Sequence, residues 1–461
     1  MAKDTQVTVV MVPFLAQGHL GQLLHLSRLI SSYNIPVHYV STTTHIRQAS
    51  SRHQGWDLLA HDNIHVHEFP IPAFQCPAPD PNAKIKYPTQ LQPSFEASIH
   101  LREPVFEFLA SLSATVRRIV IIHDYLMSSV VQDFVSLPNA ETYIFQSTNA
   151  FFFYSFYWDL VGRPAGAHSD ILEQLPSLEG CLSPESIAFA EKQQIYLNNS
   201  SGELYNTCRA IEGHYFDLLH QLQADKKQWP IGPFNPVDIL EKPDQQRQET
   251  LKWLDNQAPN SVIFVSFGTT TCLTDEQIHA IAVGLENSGQ KFIWVLRDAD
   301  KGDIFTGDVR KSELPMGYED RIFEAGQGMI VRGWAPQLEI LAHASTGGFM
   351  SHCGWNSCLE SMSMGVPMAT WPMHSDQPRN DVLITKVLKL GTVVKDWTPG
   401  NDLVESLHIE NAVKTLIASK EGDEIRKRAA ELRNDIKKSV AEGGVSRLEL
   451  DSFIDHITRS N

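Results

Sequence analysis

Two residues that could move a proton each follow an apolar run of the kind that forms a buried strand. His19 lies in AQGHLGQLL, after VTVVMVPF and at the start of a helical pattern of leucines, and Asp124 comes directly after RIVIIH. A carboxylate that binds one imidazole nitrogen fixes its tautomer and stabilises the imidazolium, so the pair could act as a general base with its partner. The positive end of the following helix should favour neutral His19 near pH 7. The competing interpretation is a structural histidine in a loop.

The segment GGFMSHCGWNSCLESMSMG, residues 347 to 365, combines exposed backbone with polar side chains. It is typical of a strand, a tight turn and a helix, in which the glycines allow close approach and Asn356 and Ser357 are expected to cap the helix. Free N–H groups at a helix start bind anions, and His352 adds a further donor. The pattern predicts a diphosphate site. The alternative is a tight turn that binds no ligand.

Residues on either side of this segment extend the predicted site. Trp334 could stack on an aromatic base, and Asp376 and Gln377 offer the fixed acceptors and donors that sugar hydroxyls require. The triplet Asp298-Ala299-Asp300 has the DxD pattern that holds metals in one class of sugar transferases, but such triplets arise often by chance. We interpret it as a solvated loop. The chain contains no P-loop, HExxH, GxSxG or GxGxxG motif, which argues against the enzyme classes that use them.

Apolar runs alternate with amphipathic segments along the whole chain. They predict strands at VTVVMVPF, PVHYVST, IHVHEF, RIVIIHD and TYIFQS, and again at SVIFVSF, KFIWVLR, GMIVRG, GGFMSH and PMATWP. Such runs are typical of parallel sheets covered on both faces, so we predict an α/β fold with two doubly wound halves. The proline-rich and polar residues 229–250 are the best linker candidate, with a boundary near residue 240. EGDEIRKRAAELRNDIKKSV and SRLELDSFIDHI predict two amphipathic helices at the end.

The composition limits the class of protein. The 461 residues are 42% hydrophobic and 20% charged, as in a globular protein of more than one domain. With 38 basic and 54 acidic residues, the formal net charge of -16 argues against binding to nucleic acid or anionic membranes. No run predicts a membrane span or a secretory signal, and six cysteines without CxxC spacing indicate thiols in a reducing compartment. We therefore expect a cytoplasmic protein.

The segment from Trp334 to Gln377 resembles the sugar-donor signature box of plant family 1 UDP-glycosyltransferases. The resemblance extends to AQGH at the first turn, to Asp124 at its strand end, to WLDNQAPNSVIFVSFGT at the entry to the second half and to EGGVS near the end. It implies a GT-B fold, in which two Rossmann-like domains face each other across a cleft. The implied domains are residues 1–240 for the acceptor, residues 241–440 for the UDP-sugar, and a helix in residues 441–461 that crosses back to the first domain.

The resemblance also implies roles for individual residues. His19 would be the general base and Asp124 its orienting partner, in an inverting reaction that needs neither a metal nor another cofactor. The donor substrate would be UDP-glucose, because Gln377 at the last position of the box is associated with glucose in this family. Its binding residues would be Trp334, Ala335 and Gln337 at the nucleoside, Glu360 at the ribose, Ser266, Gly268, Thr269, His352, Gly354, Asn356 and Ser357 at the diphosphate, and Ser147, Trp355, Asp376 and Gln377 at the sugar.

Within the family, the chain resembles the zeatin O-glucosyltransferase and O-xylosyltransferase group, through HLSRLISSYNIPVHYVSTTTHIRQA, WVLRDADKGDIF and WPMHSDQPRND. It departs from that group at Gly21, where asparagine is usual, at Tyr125, where serine is expected, and at residues 146–148, where a histidine-containing run is expected. The acceptor pocket is expected to include Phe14, Gly21, Tyr125 and Phe151. The expected acceptor is a small hydroxylated plant metabolite such as the cytokinin zeatin. A flavonoid or other phenol as acceptor, and UDP-xylose as donor, remain alternatives.

Two interpretations from other classes compete with this one: a nucleotide-sugar-binding protein that has lost catalysis, and a glycoside hydrolase. The presence of both His19 and Asp124 argues against the first. Hydrolases need two carboxylates across the scissile bond, and none pairs with Asp124 in the sequence. The expected partners are therefore a small-molecule acceptor and a UDP-sugar, without nucleic acid or membrane insertion, and the chain is expected to act as a monomer.

Overall fold

The computed structural model describes residues 7–52, 56, 61–163, 170–239, 248–306, 310, 312–398 and 403–460. Within these residues the first half of the chain contains a parallel sheet of seven strands in the order β3-β2-β1-β4-β5-β6-β7. The side chains of β1 and β4 are buried along their whole length, as expected for central strands covered on both faces. The strands are β1 Val7–Val12, β2 Val37–Thr42, β3 Ile64–Phe69, β4 Arg118–Asp124, β5 Ala140–Gln146, β6 Glu203–Tyr205 and β7 Gln228–Pro230.

The helices of this half cover both faces of the sheet and form the connections between its strands. Their bounds are α1 Gln17–Ser31, α2 Thr43–Arg52, α3 Gln92–Ala97, α4 Arg102–Ser113, α5 Ser128–Val131, α6 Ala150–Leu160, α7 Asp170–Glu173, α8 Pro184–Gln194 and α9 Arg209–Leu222. The α1 helix begins five residues after β1, so the connection between them is a tight turn at the carboxyl edge of the sheet. That turn positions His19 in the first turn of α1.

The second half repeats this architecture with a described sheet of six parallel strands, ordered β10-β9-β8-β11-β12-β13. Glycine in the left-handed conformation ends α11 at Gly289 and α14 at Gly365, a common way to stop a helix. The elements are α10 Glu249–Asp255, β8 Val262–Ser266, α11 Asp275–Ser288, β9 Lys291–Val295, α12 Tyr318–Glu324, β10 Gly328–Val331, α13 Gln337–Ala342, β11 Thr346–Ser351, α14 Trp355–Met364, β12 Met368–Thr370, α15 Gln377–Val382, β13 Gly391–Val393, α16 Ser406–Ala418, α17 Lys420–Val440 and α18 Val445–Thr458.

The last helix returns to the first half. Leu450, Phe453 and Ile457 of α18 are buried in the core that also contains residues of β1 and β4. Arg118 in β4 donates from Nη1 to the carbonyl of Ile457 at 2.8 Å. A second core contains Phe151 of α6 together with residues of α13 and α14, so the two halves share buried apolar surface.

The predicted α/β fold with two doubly wound halves is confirmed, and all ten predicted strands are present. Three short strands, β6, β7 and β13, were not predicted, because three residues are too few to show a period; the equally short β12 was predicted from the longer run PMATWP. The predicted linker begins with Trp229 and Pro230 in β7, and residues 231–236 are buried against the first half. The predicted boundary near residue 240 lies outside the described residues.

Candidate active site

A cavity of about 940 Å³ lies between the carboxyl edges of the two sheets. In each sheet the strand order changes direction between two neighbouring strands, β1 and β4 in the first and β8 and β11 in the second. Ligands of open α/β sheets bind in the crevice at that point, because the loops on the two sides diverge there. His19 follows β1, Asp124 ends β4, Ser266 ends β8 and His352 follows β11, and all four line the cavity.

His19 and Asp124 form a hydrogen-bonded pair on the wall that the first half contributes. Nδ1 of His19 lies 2.7 Å from Oδ2 of Asp124. The other oxygen of Asp124 accepts the backbone N–H of Leu126 at 2.9 Å, which fixes the carboxylate. The side chain of Asp124 is 1% exposed, whereas that of His19 is 24% exposed and packs edge-on against Phe14. The pair leaves Nε2 of His19 as the ring nitrogen that can accept a proton from a bound molecule.

The pKa of His19 differs from the sequence-based expectation. Burial lowers the pKa, but the charge of Asp124 and its hydrogen bond outweigh burial, and Asp376 adds a smaller contribution, so the pKa of His19 is raised above its ordinary value. This direction is opposite to the one expected of the helix terminus, which alone would lower the pKa of His19. The physical reason is that a carboxylate in direct contact acts more strongly than the partial charge of a helix end.

The α14 start forms the opposite wall of the cavity. His352 is packed between two glycines: a Cβ added at Gly268 would lie 2.6 Å from its Nε2, and one added at Gly354 would lie 2.5 Å away. Gly268 also has φ +77°, a conformation that other residues rarely adopt. Burial lowers the pKa of His352 to about 4, so this imidazole is neutral near pH 7. Its Nδ1 has no hydrogen-bond partner within the described part of the chain, which leaves a polar atom for a ligand.

The prediction that Asn356 and Ser357 cap α14 is wrong. The N-cap is Gly354, without a side-chain hydrogen bond, and the helix begins at Trp355. Asn356 donates from Nδ2 to the carbonyl of Gly18 in the first half at 2.7 Å. The indole N–H of Trp355 donates to the carbonyl of Asn206 at 2.8 Å, also across the cleft. The backbone N–H groups of the first turn therefore remain uncapped at the cavity, while these side chains join the two halves.

Residues of α13 and α14 form a hydrogen-bonded group beside Trp334. Gln337 donates from Nε2 to Oε2 of Glu360 at 2.7 Å and to Oγ of Ser357 at 3.2 Å. Burial raises the pKa of Glu360 to about 7, which the hydrogen bond from Gln337 opposes. All four residues line the cavity together with Ala335. The group presents the amide of Gln337 on α13 and the hydroxyl and carboxyl of Ser357 and Glu360 on α14 to the cavity.

The residues at the end of the signature segment lie where the two halves meet. Oδ2 of Asp376 accepts hydrogen bonds from Oγ1 of Thr148 at 2.6 Å and from Nδ2 of Asn380 at 2.8 Å. Oε1 of Gln377 accepts the backbone N–H groups of Met373 and His374, and its amide nitrogen lies 3.4 Å from Nδ1 and 3.5 Å from Nε2 of His374. The predicted residues Ser147, Thr269, Asp376 and Gln377 all line the cavity. Thr148 was missed because no motif marks it.

Of the residues predicted to contact the acceptor, Phe14, Gly21 and Tyr125 line the cavity and Phe151 does not. Phe151 is 0% exposed and belongs to the shared core, because it points to the other side of α6. Its neighbours Phe152, Phe153 and Phe156 line the cavity instead. Helix α8 contributes Ile187, Ala190, Glu191 and Gln194 to the same wall, which the sequence analysis did not predict.

Asp300 of the DxD triplet is not in a solvated loop, contrary to the prediction. Its side chain is 6% exposed and accepts hydrogen bonds from two guanidinium groups of the cavity wall, those of Arg52 and Arg297. Both arginines lie over the ring of Trp334. Arg52 belongs to the first half and was missed, because nothing in the sequence connects it with a residue so distant along the chain.

Within the described ranges, no helix is both long and apolar enough to cross a membrane. In the same part of the chain, no group of three or more histidine, cysteine, aspartate or glutamate side chains is arranged to hold a metal ion.

Known proteins resemble the chain over almost its whole length. Residues 5–236 match a family model described as Glycosyltransferase, N-terminal domain, and residues 237–435 match one described as UDP-glucoronosyl and UDP-glucosyl transferase. The chain is 54% identical over 459 residues to zeatin O-glucosyltransferase of Phaseolus lunatus, covering 99% of this chain and 98% of that protein. It is 52% identical over 459 residues to zeatin O-xylosyltransferase of Phaseolus vulgaris, covering 99% of each.

Solved structures agree with the GT-B fold expected from the sequence. Phytolacca americana UGT2, complexed with UDP-2fluoro-glucose and pterostilbene, has a TM-score of 0.75 and 25% identity, covering 99% of this chain and 100% of that chain. Medicago truncatula UGT71G1, complexed with UDP-glucose, has a TM-score of 0.74 and 25% identity, covering 99% of both chains. Because family models match both halves and full-length relatives share more than half of its residues, this chain belongs to the UDP-glycosyltransferase family.

Proposed function

We propose that the protein transfers glucose from UDP-glucose to a hydroxyl of a cytokinin such as zeatin, with inversion at the anomeric carbon. The relatives with 54% and 52% identity are named for zeatin, and they cover nearly the whole chain, including the acceptor wall. One of them is a glucosyltransferase and the other a xylosyltransferase. We assign glucose as the sugar because of Gln377 in the signature segment, and UDP-xylose is the alternative donor.

In the proposed reaction, His19 is the general base and Asp124 its positioning partner. The acceptor hydroxyl attacks the anomeric carbon and gives its proton to Nε2 of His19, while the bond from that carbon to the diphosphate oxygen breaks and UDP leaves with the bonding electrons. Attack from the face opposite the leaving group converts an α-linked donor into a β-glucoside. The charge that develops on the diphosphate is stabilised by the N–H groups at the start of α14 and by His352.

One observation carries this proposal: the hydrogen-bonded pair of His19 and Asp124 faces the uncapped start of α14 in a single cavity. A base on one wall and an anion site on the other are the two elements that transfer from a nucleotide-activated donor requires. A binding protein without catalysis has no use for a buried carboxylate that raises the pKa of a cavity histidine. The geometry therefore favours an enzyme over the inactive alternative.

The proposed donor contacts follow the positions of the predicted residues. Trp334 would stack on the uracil, and Gln337 and Glu360 would bind the nucleoside and its ribose. His352, Asn356 and Ser357 would hold the diphosphate together with the loop formed by Ser266, Gly268 and Thr269. Asp376 and the amide nitrogen of Gln377 would bind the sugar hydroxyls.

The acceptor wall is largely aromatic and aliphatic with a few polar atoms, which suits a flat ring with an apolar side chain. Phe14 packs against His19, and Phe95 packs against Phe14, so the base lies at the end of an apolar slot. Tyr125 and Gln194 supply polar atoms along that slot. A phenol or flavonoid also fits this chemistry and is the second candidate acceptor.

Mass spectrometry of the reaction products tests the proposal. Purified protein is given UDP-glucose or UDP-xylose with trans-zeatin, cis-zeatin, flavonols and simple phenols, and His19→Ala serves as the control. We expect an O-glucoside of zeatin that the control does not form. Transfer of sugar to phenols but not to zeatin would contradict zeatin as the acceptor and support a phenol. Transfer from UDP-xylose alone would contradict UDP-glucose as the donor. Binding of UDP without any product would favour the inactive alternative.

We also propose that the enzyme acts in the cytoplasm as a monomer and without a metal ion. The net charge of -16 and the cysteine pattern support this setting. Size-exclusion chromatography with light scattering gives the mass in solution. Activity that survives EDTA treatment would support the metal-independent mechanism, and its loss with recovery on adding a divalent cation would contradict it.

A further inference from the structure

A buried group of charged residues crosses the cleft beside Trp334. Arg52, at the end of α2 in the first half, donates from Nη1 and Nη2 to the two oxygens of Asp300 at 2.6 and 3.1 Å. Arg297, which follows β9 in the second half, donates from Nη2 to Asp300 at 2.6 Å. The side chains of Arg52, Arg297 and Asp300 are 8%, 17% and 6% exposed. The guanidinium carbons of Arg52 and Arg297 lie 4.7 and 5.9 Å from the centre of the Trp334 ring.

The charges of this group do not balance. Two guanidinium groups share one carboxylate, and within the described residues neither has another acidic side chain within ion-pair distance. Nη1 of Arg297 and the indole nitrogen of Trp334 are buried without a hydrogen-bond partner in that part of the chain. Buried donors without partners are costly, so such atoms commonly face a ligand.

Arg52 and Arg297 lie in a cavity whose described charged side chains are otherwise acidic. Among its described lining residues, the arginine and lysine side chains are those of Arg52 and Arg297, whereas the acidic side chains are those of Asp124, Glu179, Glu191, Glu360 and Asp376. The protein as a whole carries a net charge of -16. A UDP-sugar has a dianionic diphosphate, and a cavity with this surplus of acidic groups repels it unless cations near the binding site compensate.

We infer that Arg52 is a donor-binding residue that the acceptor half contributes to the UDP-sugar site, where it acts beside Arg297 and is held in place by Asp300. This inference rests on the proposed function, because it takes Trp334 as the platform for the uracil. Arg52 lies outside the signature box, Trp334 to Gln377. The donor is therefore bound by both halves, and the guanidinium groups supply the positive charge that the neutral His352 does not.

Backbone contacts of Asp300 hold this group of charged residues in place. Gln90 of the first half donates from Nε2 to the carbonyl of Asp300 at 3.2 Å. The backbone N–H of Asp300 donates to the carbonyl of Thr269 at 2.6 Å, in the loop that follows β8. Asp300 thus connects Arg52 to the loop proposed to hold the diphosphate. Arg52 therefore contacts Trp334 directly and the loop after β8 through Asp300.

Calorimetric titration with UDP tests the inference, with Arg52→Met and a matched control, Arg47→Met. Arg47 lies on the same helix, stacks on Phe305 and does not line the cavity. Loss of a charged hydrogen-bonding partner should weaken UDP binding by about tenfold in Arg52→Met. The variant should also show a weaker salt dependence of UDP affinity. The control should stay within twofold of the wild type, and Arg52→Lys should recover part of the affinity.

A purely structural role of Arg52 predicts a different pattern. It would lower the melting temperature and change the KM for the acceptor as much as that for the donor, whereas donor binding changes the KM for UDP-glucose and leaves the acceptor KM within twofold. UDP affinity in Arg52→Met equal to that of Arg47→Met would overturn the inference. Trp334→Ala distinguishes a failure of the proposed donor site from a failure of the proposed role of Arg52. If it binds UDP as well as wild type, the proposed donor site fails; if it binds weakly while Arg52→Met is unaffected, only the role of Arg52 fails.

Discussion

The donor and acceptor walls of the cavity are built in different ways. The donor wall comes mostly from one continuous segment, Trp334 to Gln377, with the loop after β8. The acceptor wall is assembled from short stretches that lie far apart in the chain, around Phe14, Phe95, Tyr125, Phe152 and helix α8. The donor wall uses backbone N–H groups and fixed polar side chains, and the acceptor wall is mainly apolar. Substitutions in the acceptor wall can therefore change the acceptor while the donor wall keeps its ligand.

The largest expected effect is the loss of turnover when His19, the proposed general base, is removed. His19→Ala removes the base, and general-base catalysis typically supplies about 10² to 10⁴-fold, so turnover should fall by at least that factor. UDP affinity and the melting temperature should change little, because His19 is on the acceptor side and partly exposed. Single-turnover kinetics measures the rate, titration calorimetry the UDP affinity and scanning calorimetry the melting temperature. Full activity of a folded His19→Ala sample would refute the assignment of the base.

Asp124→Asn should have the next largest effect and should also shift the pH dependence. The wild-type kcat/KM should fall as the pH drops through the pKa of His19, which lies above its ordinary value because Asp124 stabilises the imidazolium. In the variant this stabilisation is lost while burial remains, so the acidic limb should move to lower pH. We also expect kcat to fall by about 10²-fold, since the orientation of the ring is lost. An acidic limb at the same pH would show that Asp124 does not control the base.

A change confined to the donor wall should affect only the donor. In Gly354→Ala the new methyl group would lie 2.5 Å from Nε2 of His352, so the imidazole must move away from its position at the α14 start. We expect the KM for UDP-glucose to rise by about tenfold and the acceptor KM to stay constant. Gly333→Ala is the control, because a Cβ there meets no atom within 4 Å. An equal rise in both KM values would mean that the two walls are not separable.

The smallest expected effect is a change of acceptor preference at Tyr125. Tyr125→Ser removes a ring beside the base and introduces the residue expected in the zeatin group, so the ratio of kcat/KM for zeatin to that for flavonols should rise by about fivefold. The KM for UDP-glucose should remain within twofold. Competition assays with mixed acceptors give the ratio directly. An unchanged ratio would assign acceptor choice to other parts of the wall, such as α8.

The sequence by itself determined the fold class, and it predicted the general base and the donor segment. Buried strands are apolar along their whole length, so the runs around β1, β4, β8 and β11 show the parallel sheets directly. His19 and Asp124 stand immediately after such runs, and the carboxyl ends of neighbouring parallel strands meet at one edge. For that reason their proximity could be predicted from position along the chain.

The tertiary structure alone decided contacts between residues that no local pattern links. It directed Phe151 into the core and Phe152 into the cavity, although both lie in one aromatic run, because only one face of α6 points to the cleft. It also turned Asn356 toward Gly18 and buried Asp300 between two arginines, one from each half. Each of these depends on how the two halves pack, and local sequence carries no information about the residue that will lie across the cleft.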